Sequence, residues 1–213
     1  VTGDVLDALR GHGVVMLYDP QRDEGDIVAA ARSVTDDAVT TMVAKAGGLV
    51  AVVVLPGQAA RLGLRTMPTN GGVRTHVDRL PAIVSVEARH GISTGISSAD
   101  RARTIRAVAS SKSGIELVSP GHVFPFVAAS GGLLARRGRL EAGVDLSRLG
   151  GTGEGAAICD VLGADGGLAR EDEIRALADE NGIPITTIPA LTEARFDHQW
   201  DAWSVPTCHS GDR

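Results

Sequence analysis

Apolar and polar residues fall in blocks whose period changes along the chain, and the changes mark out short helices and strands. Val5 to Arg10 reads as the end of a helix stopped by Gly11 and Gly13, and Val14 to Tyr18 is an apolar run of strand length. Asp19 to Asp26 is polar, punctuated by Pro20 and Gly25, and predicts a charged turn before a second short strand at Ile27 to Ala31. Thr35 can cap a helix from Asp36 to about Lys45, with Asp36 and Asp37 in the first turn, where the helix dipole favours acids. Gly47-Gly48 ends that helix. Leu49 to Leu55 is almost wholly apolar and β-branched, the pattern of a strand covered on both faces.

Further on, Gln58 to Leu64 predicts a short helix, and 67–79, aperiodic with Gly71-Gly72, a loop. Ala82 to Ala88 alternates as a strand, and Ser98 with Asp100 opens a helix to about Ala109. Gly121 to Val127 and Gly131 to Ala135 flank a turn. Glu141 to Leu149 is helical, Ala156 to Leu162 a buried strand, Arg170 to Asn181 an amphipathic helix closed by Gly182, and Ile185 to Ile188 the last strand. The alternation is irregular and shows no repeat, so the expectation is a single mixed α/β or α+β domain over 1–191. A tail at 192–213 carries Trp200, Trp203 and Cys208 without a clear period.

Composition narrows the functional classes. With 213 residues, 43% of them hydrophobic, the chain can bury a core without disulfide or metal staples. A formal charge of -5 and only 3% aromatics supply neither the basic footprint nor the stacking platforms of a nucleic-acid binder. No apolar run approaches the ~20 residues of a membrane helix, and no secretory signal is visible. The two cysteines, Cys159 and Cys208, lack metal-type spacing and fit a reducing, cytoplasmic compartment.

Three stretches carry candidate chemistry. Asp19, Asp23, Glu24 and Asp26 crowd carboxylates into one turn, suited to holding a cation or moving a proton, or simply a solvated charged turn. Pro120-Gly121-His122-Val123-Phe124-Pro125 fences one imidazole in a stiff frame, as acid/base catalysis requires, though a lone His is more often structural. Arg136-Arg137-Gly138-Arg139 before a helix offers a cradle for phosphate, or a solvated basic turn. No P-loop, dinucleotide fingerprint, His-Glu-x-x-His or Gly-x-Ser-x-Gly motif is present.

Taken together, Arg22-Asp23-Glu24-Gly25-Asp26, the run from Ala88 through Gly91-Ile92-Ser93-Thr94-Gly95-Ile96-Ser97 to Asp100-Arg101, and Pro120 to Pro125 resemble the 3,4-dihydroxy-2-butanone-4-phosphate synthase family of riboflavin biosynthesis. Weaker similarity runs from about Leu6 to Ile188. The resemblance implies an α+β domain built on a mixed sheet with helices on both faces. It also implies a homodimer and the conversion of ribulose 5-phosphate to a four-carbon ketone phosphate plus formate with a divalent cation, usually Mg²⁺.

Position by position, the resemblance is uneven. His122, Glu24, Asp26, Arg136 and Glu141 match the family pattern. The acidic loop is one residue short, which places Asp23 at the metal-ligand position, with Arg22 before it. Arg139 stands where the family has its metal-binding imidazole, Leu140 replaces a Thr, Asp160 a catalytic Glu, and Ala51 a Cys. An arginine has no lone pair to give a metal. These changes lead to the expectation of an enzyme repurposed for isomerisation, dehydration or a lyase step on a small anionic hydroxy-carbonyl substrate. Its acid/base groups are His122, Asp160 and Glu24, and Arg22, Asp26, Arg136, Arg139 and Glu141 bind the substrate. No cofactor is expected, with Mg or Mn in play only where the family activity persists. The alternatives are a genuine synthase and a non-catalytic ligand-binding paralogue.

Overall fold

The computed structural model describes residues 1–67 and 83–197. Most of the loop expected at 67–79, the residue Ala82 and the tail from 198 on, with Trp200, Trp203 and Cys208, lie outside the described residues. In chain order the elements are α1 (Gly3–Arg10), β1 (Val15–Asp19), β2 (Glu24–Ala30), α2 (Asp36–Thr41), a π-helical turn (Met42–Ala46), β3 (Gly47–Val54) and α3 (Pro56–Leu62). They continue with β4 (Val86–Ala88), α4 (Ser98–Ser110), β5 (Leu117–Val127), α5 (Arg139–Leu149), β6 (Ala156–Val161), α6 (Glu171–Asn181), β7 (Ile185–Thr187) and α7 (Ile188–Asp197).

The strands form one seven-stranded sheet in the order β4-β5-β3-β6-β2-β1-β7. It is mixed: β1–β7 and β3–β5 pair parallel, the remaining neighbours antiparallel. Period-two alternation sends Ile27, Ala29, Val52 and Cys159 to one face, under Ala38 and Val39 of α2, Ile105 of α4 and Ile174 of α6. Val28, Ala51, Val53 and Ile158 point the other way, under Val5 and Leu9 of α1, Leu146 of α5 and Leu191 of α7. The central strands are therefore covered twice, which is why β3 reads as an unbroken apolar run. Each fully buried Leu or Ile contributes about 1.5–3 kcal/mol. The architecture is the expected α+β domain with helices on both faces. Among the described residues no helix is long and apolar enough to cross a membrane.

The differences from expectation have local causes. The acidic stretch is not one turn, because Asp19 pairs with Glu24 and only the residues between them turn, so β2 already begins at Glu24. β5 starts at Leu117 and runs through Pro120, tolerated because that part of β5 pairs only with the short strand β4. Helix α5 begins at Arg139, so this residue is the first of a helix rather than part of a loop. The expected boundary at 191/192 falls inside α7.

Candidate active site

The site is set by register. Asp26 on β2 pairs directly with Asp160 on β6, and both follow the alternation of Val28 and Ile158 onto the α5 face. Across β3, Ala51 lies opposite both Ile158 and Phe124. Two residues before Phe124 on β5, His122 keeps its side of the sheet, while the β3–β6 register shifts between Gly47 and Val50. His122 is thus on the same face as Asp160 but two strands away, about 10 Å at ordinary strand spacing. Leu49, which is exposed, lies on the strand between them. Gly48 is required beside it, since a Cβ there would collide with the Asp160 carbonyl oxygen.

At the closed end, Arg139 reaches from the first position of α5 to both acids. Its Nη1 donates to Asp26 Oδ1 at 2.8 Å and to Asp160 Oδ1. Burial pushes the Asp26 carboxyl, 2% exposed, up to about 6, against the opposing pull of Arg139. One turn away Arg136 Nη2 donates to the buried Glu141 Oε1, which also accepts the Ala129 N–H. Gly138 leaves room for that carboxylate, because a Cβ there would lie 2.8 Å from Glu141 Oε2. Both arginines are only partly covered, so each has donors open to an anion.

At the open end, His122 Nδ1 lies 3.0 and 3.2 Å from the two oxygens of Glu87 on β4. A carboxylate only accepts, so the network puts the proton on Nδ1 and leaves Nε2 as the nitrogen that can take one up. Glu87 is buried, and Gly95 closes on it so tightly, at φ +90, that a Cβ there would overlap the carboxylate. Asp100 fixes Gly95. Its carboxylate accepts from the Ser93 hydroxyl at 2.7 Å, the Ser93 N–H at 3.1 Å and the Gly95 N–H at 3.0 Å. These bonds, the Ser93 hydroxyl foremost, hold its pKa down to about 2. The Gly91–Arg101 motif therefore stands behind Glu87, and Glu87 behind His122. Sequence reasoning missed Glu87, although a lone acid inside the strand Val86–Ala88 was a signal for it.

The expected acidic cluster comes apart. Asp19 Oδ1 accepts the Gln21 N–H within the turn, and Glu24 lies 4.0 Å from the exposed Arg22. Asp23, the expected metal ligand, is not brought to Arg139. At φ 54 it turns toward the opposite face, where it accepts from the Glu171 N–H at 3.0 Å, Arg170 Nη1 at 3.1 Å and the Tyr18 hydroxyl at 3.1 Å. The Glu171 N–H is the main cause that lowers its pKa. The physical reason is the tight turn between Asp19 and Glu24, whose left-handed backbone at Asp23 brings the carboxylate to the N-terminus of α6, where it is favoured.

Asp26 gives a pH-dependent expectation. Its folded pKa is raised above 3.8, so the fold binds its proton more tightly than the unfolded chain does. That contribution to stability is fully present below 3.8 and lost as pH rises through about 6. Asp26→Asn, which mimics the protonated carboxyl, should gain on the native protein by about 2–3 kcal/mol between pH 4 and pH 7. Urea melts at the two pH values check this, and a constant difference contradicts it.

Comparison with known proteins agrees with this architecture. The family model described as 3,4-dihydroxy-2-butanone 4-phosphate synthase matches residues 3–194. A protein of that name from Ralstonia nicotianae is 42% identical over 193 residues, 89% of this chain and 84% of the relative. One from Pseudomonas aeruginosa is 40% identical over 197 residues, 92% of this chain; the chain spans 53% of that relative's length. A solved synthase described as a complex with two magnesium ions superposes with a TM-score of 0.81 at 33% identity, covering 91% of this chain and 95% of the other. A cation-free form gives 0.80 at 33% identity, covering 92% and 96%. These relatives overturn the expectation of a repurposed enzyme. The chain matches proteins named for the synthase activity along nearly its whole length.

Proposed function

This chain belongs to the 3,4-dihydroxy-2-butanone 4-phosphate synthase family of lyase-type enzymes, and on that premise we propose that it converts ribulose 5-phosphate to 3,4-dihydroxy-2-butanone 4-phosphate and formate. The observation that carries the reading is the α5 face of the sheet, with the Glu87-backed imidazole on one side and, on the other, Arg139 at the first position of α5 and Arg136 just before the helix. A separation of about 10 Å between His122 and Asp160, two strand spacings, suits a five-carbon sugar phosphate lying across that face.

In this reading the phosphate sits on Arg136 and the first-turn N–H groups of α5, where charge and helix dipole both favour an anion. Glu141 holds the Arg136 guanidinium in place. His122 Nε2 takes the proton beside the ketose carbonyl, and the Glu87 carboxylate steadies the imidazolium that results. Asp26 and Asp160, in contact with Arg139, serve the hydroxyl protons at the far end, with Glu24 at the rim. The atoms balance without an added oxidant or reductant, since the water lost on dehydration is regained as formate leaves. As in the family resemblance, the working unit is a homodimer.

The residues present do not fit a divalent cation at the family position. Position 139 is an arginine already held by Asp26 and Asp160, and Asp23 is committed to α6. Among the described residues no group of three or more His, Cys, Asp or Glu side chains is arranged to hold a metal. Proton transfer therefore falls to the side chains named above. Incubation with ribulose 5-phosphate should release formate, detectable with a coupled dehydrogenase. Absence of formate with well-folded protein, in buffer with and without Mg²⁺, would sink the reading.

A further inference from the structure

We propose that the Arg139 guanidinium is the resident cation of this site, and that the protein binds and turns over its sugar phosphate without a divalent cation. The inference rests on the synthase reading for its substrate but not for its geometry.

Asp26 and Asp160 are direct partners on antiparallel strands, so their carboxylates stand side by side on one face. Two adjacent carboxylates on a covered sheet repel unless a positive charge or a proton lies between them. Arg139 supplies the charge, with Nη1 shared between the two Oδ1 atoms. This charge is permanent, because a guanidinium does not lose its proton at any working pH. It is also fixed in place. Arg139 opens α5, and the helix is buried from Leu140 through Arg148, so the guanidinium cannot swing away with its backbone. A dication would have to displace it from an acid that is 2% exposed, or sit beside it and be repelled.

The guanidinium side chain is 34% exposed, and only its Nη1 is taken by the two acids. Its remaining N–H donors can hold an enediolate or hydroxyl oxygen of the substrate, the task a metal would otherwise perform. A fork of N–H donors binds such oxygens by charge-assisted hydrogen bonds and gives planar selectivity that a bare ion lacks.

The test uses the whole chain. Free Mn²⁺ is titrated with native protein and followed by its electron paramagnetic resonance signal, and formate release from ribulose 5-phosphate is measured with and without excess EDTA. The native chain should show no saturable micromolar Mn²⁺ binding, and EDTA should leave formate release unchanged. Arg139→Gln, which frees both carboxylates, should bind Mn²⁺ at least about tenfold more tightly than the native chain. Micromolar Mn²⁺ binding by the native chain overturns the inference whatever the variant does. Formate release that EDTA abolishes and Mg²⁺ restores also overturns it, while leaving the synthase reading intact. If no formate forms under either condition, the synthase reading falls, and the Mn²⁺ titration of the native chain alone decides the place of Arg139.

Discussion

Replacing His122 by Ala should lower turnover of ribulose 5-phosphate by about 10²–10⁴-fold, the usual cost of losing a positioned proton-transfer group. On β5 the imidazole lies two residues before Phe124 and so on the α5 face. Glu87 then fixes it by accepting from Nδ1, and Gly95 and Asp100 fix Glu87. The imidazole is partly exposed, with 42% of its side-chain surface open, so substrate can reach it. Glu87→Gln keeps the shape but loses the charge that steadies the imidazolium, and should reduce the turnover number by a smaller factor while leaving KM nearly unchanged. Arg136→Ala should behave in the opposite sense. It removes a charge-assisted contact worth about 1.5–3 kcal/mol, felt chiefly as a higher KM. Steady-state kinetics on the three variants separate the roles. An unchanged turnover number in His122→Ala, with a folded protein, removes the imidazole from the chemistry.

Asp145→Ala should cost about 3–5 kcal/mol of stability, the expected penalty for breaking a buried ion pair from one side. Asp145 is 0% exposed. Its Oδ1 accepts from Arg148 Nη1 at 3.2 Å, and its Oδ2 accepts from Arg195 Nε at 3.0 Å and from the Leu133 N–H at 2.9 Å. One carboxylate thus ties α5, α7 and the turn at Gly132–Leu134 together. Gly132, at φ +60, packs against it so closely that any Cβ would overlap the oxygens. The variant leaves two buried guanidinium groups without this carboxylate. For a domain of this size each kcal/mol is worth about 2–4 °C, so the melting temperature should fall by about 10 °C. Glu171→Ala, which breaks an exposed pair with Arg175, should shift stability by less than about 1 kcal/mol. Calorimetry on both variants checks the contrast, and equal shifts would contradict it. Because the turn and α5 also carry Arg136 and Glu141, the loss should reach the site as well as the core.

How much of this was legible in the sequence depended on the range of the interaction. The central strands could be read because an apolar run such as Val50 to Val54 is dictated by burial on both faces. Thr35 as a cap was equally local, and its hydroxyl does accept the Ala38 N–H. The acidic stretch was misread because the direction of a carboxylate depends on hairpin register. Asp23 and Asp26 are three residues apart yet end on opposite faces of the sheet. The partnership of Arg139 spans 113 residues to Asp26, beyond the reach of any spacing rule. Glu87 and His122, 35 residues apart, meet only because β4 and β5 pair. Leu140 and Ala51 were read as signs of changed chemistry, but single positions weigh less than the match of the family model along residues 3–194.

Proton nuclear magnetic resonance of the chain with ribulose 5-phosphate follows the proposed reaction itself. A formate singlet should grow in step with the signals of the four-carbon ketone phosphate, one for one, and be lost in His122→Ala. A pentose phosphate that stays intact, or that is isomerised without releasing formate, would contradict it.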